Sequence, residues 1–343
     1  MRENTRDLLA KLDADVCRLL QLLSSGLYGR DSMESETVMG TAAAGWKDCS
    51  FFFFMETCIE SLNAQGRHRT AEAYASALNS FVRFREGKDI AFSDMDSSLL
   101  QDYEAYLHRG GVKPNSSSFY MRILRAVYNK GAAKGLAPRN HPFGQVYTGV
   151  AKTAKRAIPV SAIRQIKEMD LSGNAASDYA RDMFLFSFYT RGMSFVDMAH
   201  LLKTDLHRGI LTYSRKKTGR QLHIRWEQCM QDIIDKYDNP QSPYLLPIVD
   251  WRSGTDVRRQ YIYAAHSINR CLKKIGEALH LPIPLTMYVS RHTWASAARS
   301  RNVPLSVISE GMGHDSEATT RIYLASLDTA AIDDANSLIL ELL

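Results

Sequence analysis

The chain has 343 residues, 45% hydrophobic and 23% charged. These are ordinary globular proportions, and the length suits two domains with a short extra head. Its five cysteines (Cys17, Cys49, Cys58, Cys229, Cys271) are odd in number and none forms a C-x-x-C pair, which argues against a disulfide framework and a structural zinc site. The longest apolar run, Phe51 to Met55, is far short of the roughly 20 residues that span a bilayer.

The N-terminal 23 residues read as an amphipathic helix, with Leu8, Leu9, Leu12, Val16, Leu19, Leu20 and Leu23 near a 3.6 period. Glu3, Asp7, Asp13 and Asp15 lie among these leucines, so the segment does not read as a secretory signal. A soluble protein of a reducing compartment, without a membrane partner, is expected. A Ser/Gly/Thr/Ala-rich stretch follows, and residues 1–48 together read as a helix and linker.

Residues 49–140 carry a helical pattern with Leu78, Phe81, Val82 and Phe84 in one apolar group and Leu99, Leu100, Tyr103, Tyr106 and Leu107 in another. The turn Arg109-Gly-Gly-Val-Lys-Pro114 precedes a helix expected from Asn115 or Ser116, with Phe119, Ile123, Leu124, Val127 and Tyr128 inward. The formal excess of +6 is not spread evenly: residues 101–160 hold ten basic and two acidic side chains, whereas residues 1–50 hold six and eight. A local basic surface is the electrostatic footprint of nucleic-acid binding, although a solvated helix face would have the same composition. The candidate DNA contacts are Arg67, Arg69, Arg122, Arg125, Lys130, Lys134, Lys152 and Lys155. Residues 141–158 read as a basic linker.

From residue 159 to 330 helices dominate, with one exception. Gly209–Tyr213 and Arg220–Arg225 alternate with period 2 around Lys216-Lys-Thr-Gly219, which reads as a β-hairpin. Two hydrophobic helices are expected near 258–279 and 291–302. The predicted class is mainly α with a small β-sheet (α+β). Residues 331–343 place Ile332, Ala335, Ile339 and Leu342 at helical spacing, for packing on a neighbouring subunit or on their own domain.

The most informative stretch runs from Thr286 to Tyr323. Arg291-His292 opens a helix, Pro304 opens another, Gly311-Met-Gly-His314 ends it, and Tyr323 follows nine residues after His314. A tyrosine hydroxyl titrates near pH 10 and needs its developing charge offset before it can act as a nucleophile. A guanidinium offers fixed planar donors to phosphate oxygens, and an imidazole can donate to the same oxygens or move a proton. Together the three groups suit phosphoryl transfer. Each alone has a plain structural explanation; the ordered set is much rarer.

In these motifs the chain resembles the tyrosine recombinases, the phage-integrase family, and most of all the Bacteroidota-type mobile-element integrases. Arg291-His292 matches the family's arginine-histidine block, Met312-Gly313-His314 its Gly-His block, and Tyr323 its nucleophile. The resemblance covers roughly residues 50–330 and implies a helical SAM-like core-binding domain plus a tyrosine-recombinase catalytic domain. Tyr288 stands where the family has its first histidine, and a phenol is a hydrogen-bond donor but a weaker base there. Thr190-Arg-Gly-Met-Ser-Phe-Val-Asp197 departs from the family's upstream block, with Ser194 at the arginine position. Arg191 is expected to supply that guanidinium, with Arg215 as the alternative. Asp197 sits at the family's acidic position, either buttressing an arginine or His314 or lying on a plain helix face. Lys217 matches the hairpin lysine, which would protonate the leaving 5′-oxygen.

The resemblance further implies cleavage and rejoining of double-stranded DNA at a specific site through a 3′-phosphotyrosine, with no metal and no other cofactor. Its expected partners are four protomers on two sites and accessory DNA-bending proteins, in the cytoplasm with the nucleoid. A type IB topoisomerase and a catalytically impaired DNA-binding accessory protein are the rival readings.

Overall fold

In the computed structural model the described residues are 50–137, 140–151, 156–324 and 340; for Ile322 and Tyr323 the backbone alone is described. The N-terminal helix and linker, Lys152, Lys155 and the C-terminal helix therefore lie outside the described residues, except for residue 340. The chain divides into two compact units, Met1–Lys152 and Thr153–Leu343.

Among the described residues, the first unit contains four α-helices: α1 (Phe51–Ala64), α2 (His68–Phe84), α3 (Ser97–Arg109) and α4 (Pro114–Ala133). Their starts follow local chemistry. Ser50 accepts from the Phe53 N–H to cap α1, and Asp96 accepts from Leu99 N–H at 2.8 Å to cap α3. Pro114 occupies the first turn of α4, where no N–H is needed, so this helix begins slightly before the expected Asn115 or Ser116. Inward aromatics form the core: Phe51, Phe81, Phe92, Tyr103 and Tyr128 are nearly all fully buried, with Phe81 and Tyr103 edge-to-face at 4.9 Å. The buried Tyr103 hydroxyl donates to Ser80 Oγ at 2.8 Å, so the ring enters the core without an unpaired polar tip.

The stretch after α4 is less free than a linker. Asn115 donates to Ala151 O and accepts from Ala151 N, Arg125 donates to Thr148, and Tyr147 N donates to Glu104. Side chains of α3 and α4 thus hold residues 147–151 to the first unit.

The second unit is built around α6 (Ala175–Tyr189), whose residues Ala180, Met183, Phe184, Leu185 and Phe186 are buried on several sides. A helix apolar around its circumference needs neighbours on every side. These are α5 (Val160–Glu168), α8 (Gln228–Tyr237), α9 (Val257–Ala278) and α10 (Met287–Ser300). Asp182 of α6 accepts from Lys236 and from the Tyr237 hydroxyl of α8, so a buried carboxylate is fully engaged. Between α6 and α8 run the short α7 (Phe195–Met198) and an antiparallel sheet, β1 (Leu206–His207), β2 (Ile210–Ser214) and β3 (Gln221–Arg225), in that order. The β2–β3 register pairs Leu211 with Ile224 and Tyr213 with Leu222, which sets these four residues on the buried face. The fold is thus mainly helical with a small sheet, as expected. Two short helices, α11 (Leu305–Gly311) and α12 (Glu317–Tyr323), complete the described fold. No described helix is long and apolar enough to cross a membrane.

Candidate active site

The site begins at the C-terminal end of α6. Arg191 and Gly192 both adopt positive φ, +61° and +71°, which turns the chain sharply after Thr190. Glycine is required at 192 for a second reason: a Cβ there would stand 2.6 Å from Arg291 Cα. The turn therefore lies directly against α10.

Arg291 sits in the second turn of α10, which begins at Met287 and not at Arg291 as expected. Its side chain is 5% exposed. Nη1 donates to Gly192 O at 2.6 Å, while Nη2 donates to Met312 O and to His314 Nε2, each at 2.8 Å. Two carbonyls and an imidazole orient this guanidinium without cancelling its charge.

His314 is 5% exposed and follows Gly313, whose φ of +64° ends α11. A Cβ at Gly313 would meet Arg215 Cδ at 2.7 Å, so this glycine lets Arg215 pass close to the backbone. Arg215 Nη1 donates to Gly313 O, and Arg215 is itself buried. Burial first, then the charges of Arg291, Arg215 and Lys217, push the His314 pKa down to about 3. The imidazole is therefore neutral throughout the neutral pH range.

Asp197 supports this arrangement from α7. It is 3% exposed; Oδ1 accepts from Lys216 N at 2.8 Å, Oδ2 accepts from Ser194 Oγ at 2.6 Å, and Oδ2 lies 3.8 Å from Arg215 Nε. Asp197 thus buttresses an arginine, and that arginine is Arg215. Ser194 caps α7 and binds Asp197, so it occupies its position as a structural hydroxyl.

The remaining expected residues divide into two groups. Lys217 stands exposed in the β2–β3 turn and contributes to the field at His314. Arg191 is half-buried, with Cδ 3.7 Å from where a Gly311 Cβ would be, and its charge is not among those acting on His314. Tyr288, one turn before Arg291, is 46% exposed and packs edge-to-face on His292 at 4.9 Å. Tyr323 ends α12, whose Thr320 is fully buried and hydrogen-bonded to His314 Nδ1 at 2.8 Å.

In the first unit Arg67, Arg69 and Arg122 are exposed. Arg125 is half-buried on Thr148, Lys130 lies over the Tyr74 ring and Lys134 over the Phe54 ring. Sequence reasoning missed a further basic stripe. Arg259, Tyr263, His266, Arg270 and Lys274 are all exposed on α9 at spacings of three and four, along a helix expected only as hydrophobic. That spacing was legible, but the inward leucines and isoleucines drew the reading. Asp197 and Arg215 had no local signal strong enough to place them together; the hairpin fold does that.

Fixed cations around a neutral imidazole, beside a helix ending in tyrosine, make a site of the phosphoryl-transfer class. Comparison with known proteins agrees. Residues 50–146 match the model of the phage integrase SAM-like domain. A tyrosine recombinase of Pseudothermotoga lettingae is 21% identical over 275 residues, 79% of this chain and 92% of that protein. Among solved structures, a lambda integrase dimer bound to a COC′ core site superposes with a TM-score of 0.62 at 14% identity, covering 90% of this chain and 85% of that one. Lambda integrase has also been solved as a tetramer bound to a Holliday junction. The Tn1549 transposon integrase in complex with transposon right end DNA gives a TM-score of 0.62 at 13% identity, covering 85% and 99%. Residues 50–146 thus match a phage integrase domain, and the chain is similar to tyrosine recombinases over 79% of its length, which supports a site-specific recombinase.

Proposed function

We propose that the protein cleaves and rejoins double-stranded DNA at a specific site of a mobile element through a 3′-phosphotyrosine at Tyr323. The observation that carries this reading is the cationic cluster of Arg291, Arg215 and Lys217 around the buried, neutral His314. Tyr323 gives up its phenolic proton to bulk water, its Oη bonds to the scissile phosphorus, and the P–O5′ bond breaks as the 5′-oxygen takes a proton from Lys217. Attack by a partner strand's 5′-hydroxyl on the phosphotyrosine reverses the step and reseals the DNA. Arg291 and Arg215 bind the non-bridging oxygens, where negative charge grows. His314 acts as a hydrogen-bonding element and not as a base, because a pKa near 3 leaves it little proton affinity. Tyr288 serves as a donor and not as a base.

This reading moves the second guanidinium from Arg191 to Arg215. Arg215 is tied to Gly313, lies beside Asp197 and acts on His314, whereas Arg191 does none of these. Outside the cluster, the exposed cations of α2 and α4 and the α9 stripe contact the DNA backbone. The protein works as a tetramer on two DNA sites in the cytoplasm, with the nucleoid.

Covalent trapping tests the proposal. The protein is incubated with nicked duplexes carrying sequence from the flanks of its gene and then run on a denaturing gel. A slow-migrating adduct is expected, absent for Tyr323→Phe, about 10²–10³-fold slower for Arg215→Ala, and less than about tenfold slower for Arg191→Ala. The reverse order for the two arginines would restore the role to Arg191. No adduct on DNA that the protein binds would make it an accessory DNA-binding protein.

A further inference from the structure

The hydrogen bonds around His314 determine where its single proton sits. Arg291 Nη2 carries only donors, so its 2.8 Å contact with His314 Nε2 requires a lone pair on that nitrogen. The proton of the neutral imidazole is then on Nδ1, and Nδ1–H donates to Thr320 Oγ1 at 2.8 Å. The opposite tautomer would set an N–H of His314 against an N–H of Arg291. Arg291, His314 and Thr320 therefore form a directed chain from guanidinium to hydroxyl, with all three side chains at least nine-tenths buried.

Thr320 also belongs to α12, the seven-residue helix that ends at Tyr323. Residues three apart lie on neighbouring positions of a helical surface. A bond at Thr320 thus fixes both the axial register and the rotation of the turn that carries Tyr323. The helix is otherwise held at its start by Ser316, which accepts from Thr319 N.

We propose that Thr320 is a positioning residue for strand cleavage: its hydroxyl holds His314 in the Nδ1–H form and registers the helix of Tyr323 against Arg291. This rests on the recombinase reading above. Without the hydroxyl, the Nδ1–H loses this buried acceptor, His314 turns or changes tautomer, and Arg291 loses one of the acceptors that aim it. The charged groups facing His314 are Arg291 from α10 and Arg215 and Lys217 from the hairpin, none of which can accept the Nδ1 proton in place of Thr320.

Two readouts test this with the full chain. Histidine-selective 15N NMR of the free protein, with the His314 signal identified by its loss in His314→Gln, reports the tautomer. The wild type is expected to carry its proton on Nδ1, and Thr320→Val to shift towards Nε2–H. Single-turnover adduct formation on the nicked duplex reports the reaction. Thr320→Val is expected to slow it roughly ten- to a hundredfold, the size expected for the loss of one buried hydrogen bond, without changing the DNA dissociation constant. Thr320→Ser, which keeps the hydroxyl, is expected to recover most of the rate. The double variant Thr320→Val with His314→Gln is expected to be no slower than His314→Gln alone. A wild-type proton on Nε2, a Thr320→Val protein with unaltered tautomer and rate, or a Thr320→Ser protein as slow as Thr320→Val would each overturn the proposal. Absence of an adduct from the wild type itself would overturn the recombinase reading, while the tautomer in the free protein would still decide whether Thr320 holds His314.

Discussion

Among the described residues, the first unit buries aromatic rings and, apart from its tyrosines, only the hydroxyls of Ser80, Ser117 and Ser118 as polar groups. The second unit buries Asp182, Asp197, Arg215, Arg291, His292 and His314. Moving a charge out of water costs several kcal/mol unless partners are already in place. The first unit avoids that cost and keeps its described lysines and most of its described arginines outside, where the proposed DNA partner would be met at little expense. The second unit meets the cost with partners: Lys236 and Tyr237 for Asp182, and, at the candidate site, the carbonyls of Gly192, Met312 and Gly313 and the carboxylate of Asp197. The contrast separates a unit that folds by apolar area from one that holds preorganised charges. Substitutions in the two should fail differently.

The largest expected effect is at Arg291. Arg291→Ala should slow adduct formation by about 10²–10³-fold with DNA affinity retained, in single-turnover assays. A loss of folding without that rate effect would break the contrast. Next comes Phe81→Ala, which removes a fully buried ring from the first core. It should lower unfolding free energy by about 3–5 kcal/mol in urea titration and reduce DNA binding only through the unfolded fraction.

Asp197→Ala should cost about 3 kcal/mol, because Arg215 is left buried without its carboxylate. Its adduct rate should fall alongside that of Arg215→Ala. A pH effect sharpens the same point. The ordinary histidine pKa of 6.5 applies to the unfolded chain, while the folded His314 value lies near 3. The unfolded state therefore takes up a proton first as pH falls. The His314 contribution to stability is complete above pH 6.5 and declines steadily down to about pH 3. Wild type should lose more stability than His314→Gln between pH 7 and pH 4, measured by denaturant midpoints at each pH. Smallest of all, Lys130→Ala and Lys134→Ala should each change stability by less than about 1 kcal/mol. Each should also reduce the salt dependence of DNA binding by about one counterion.

How far the sequence could be read differs between these regions. The four helices of the first unit, the hairpin and the small sheet follow from periodicity, caps and a glycine turn, which act over a few residues. Arg291, His314, Lys217 and Tyr323 were singled out by a motif, because their order along the chain is itself distinctive. The second guanidinium of the proposed site was not. Arg191 was the nearest arginine in sequence, yet its left-handed backbone directs the turn, and Arg215, 21 positions beyond Ser194, is the one held beside His314. Nor did the stretch 147–151 declare its attachment, since Asn115, Arg125 and Glu104 are distant in sequence and each bond is made by a single side chain.

By itself the sequence determined the helical class, the placing of the hairpin, the basic character of the segment before the second unit and the residues of the recombinase motif. These depend on composition and on spacings of two to nine residues. Only the tertiary structure decided that Asp197 faces Arg215, that Gly192 and Gly313 admit the two arginines, and that Thr320 is hydrogen-bonded to His314. Those choices depend on which side chains converge from separate elements, and backbone packing, at distances below 4 Å, sets that convergence.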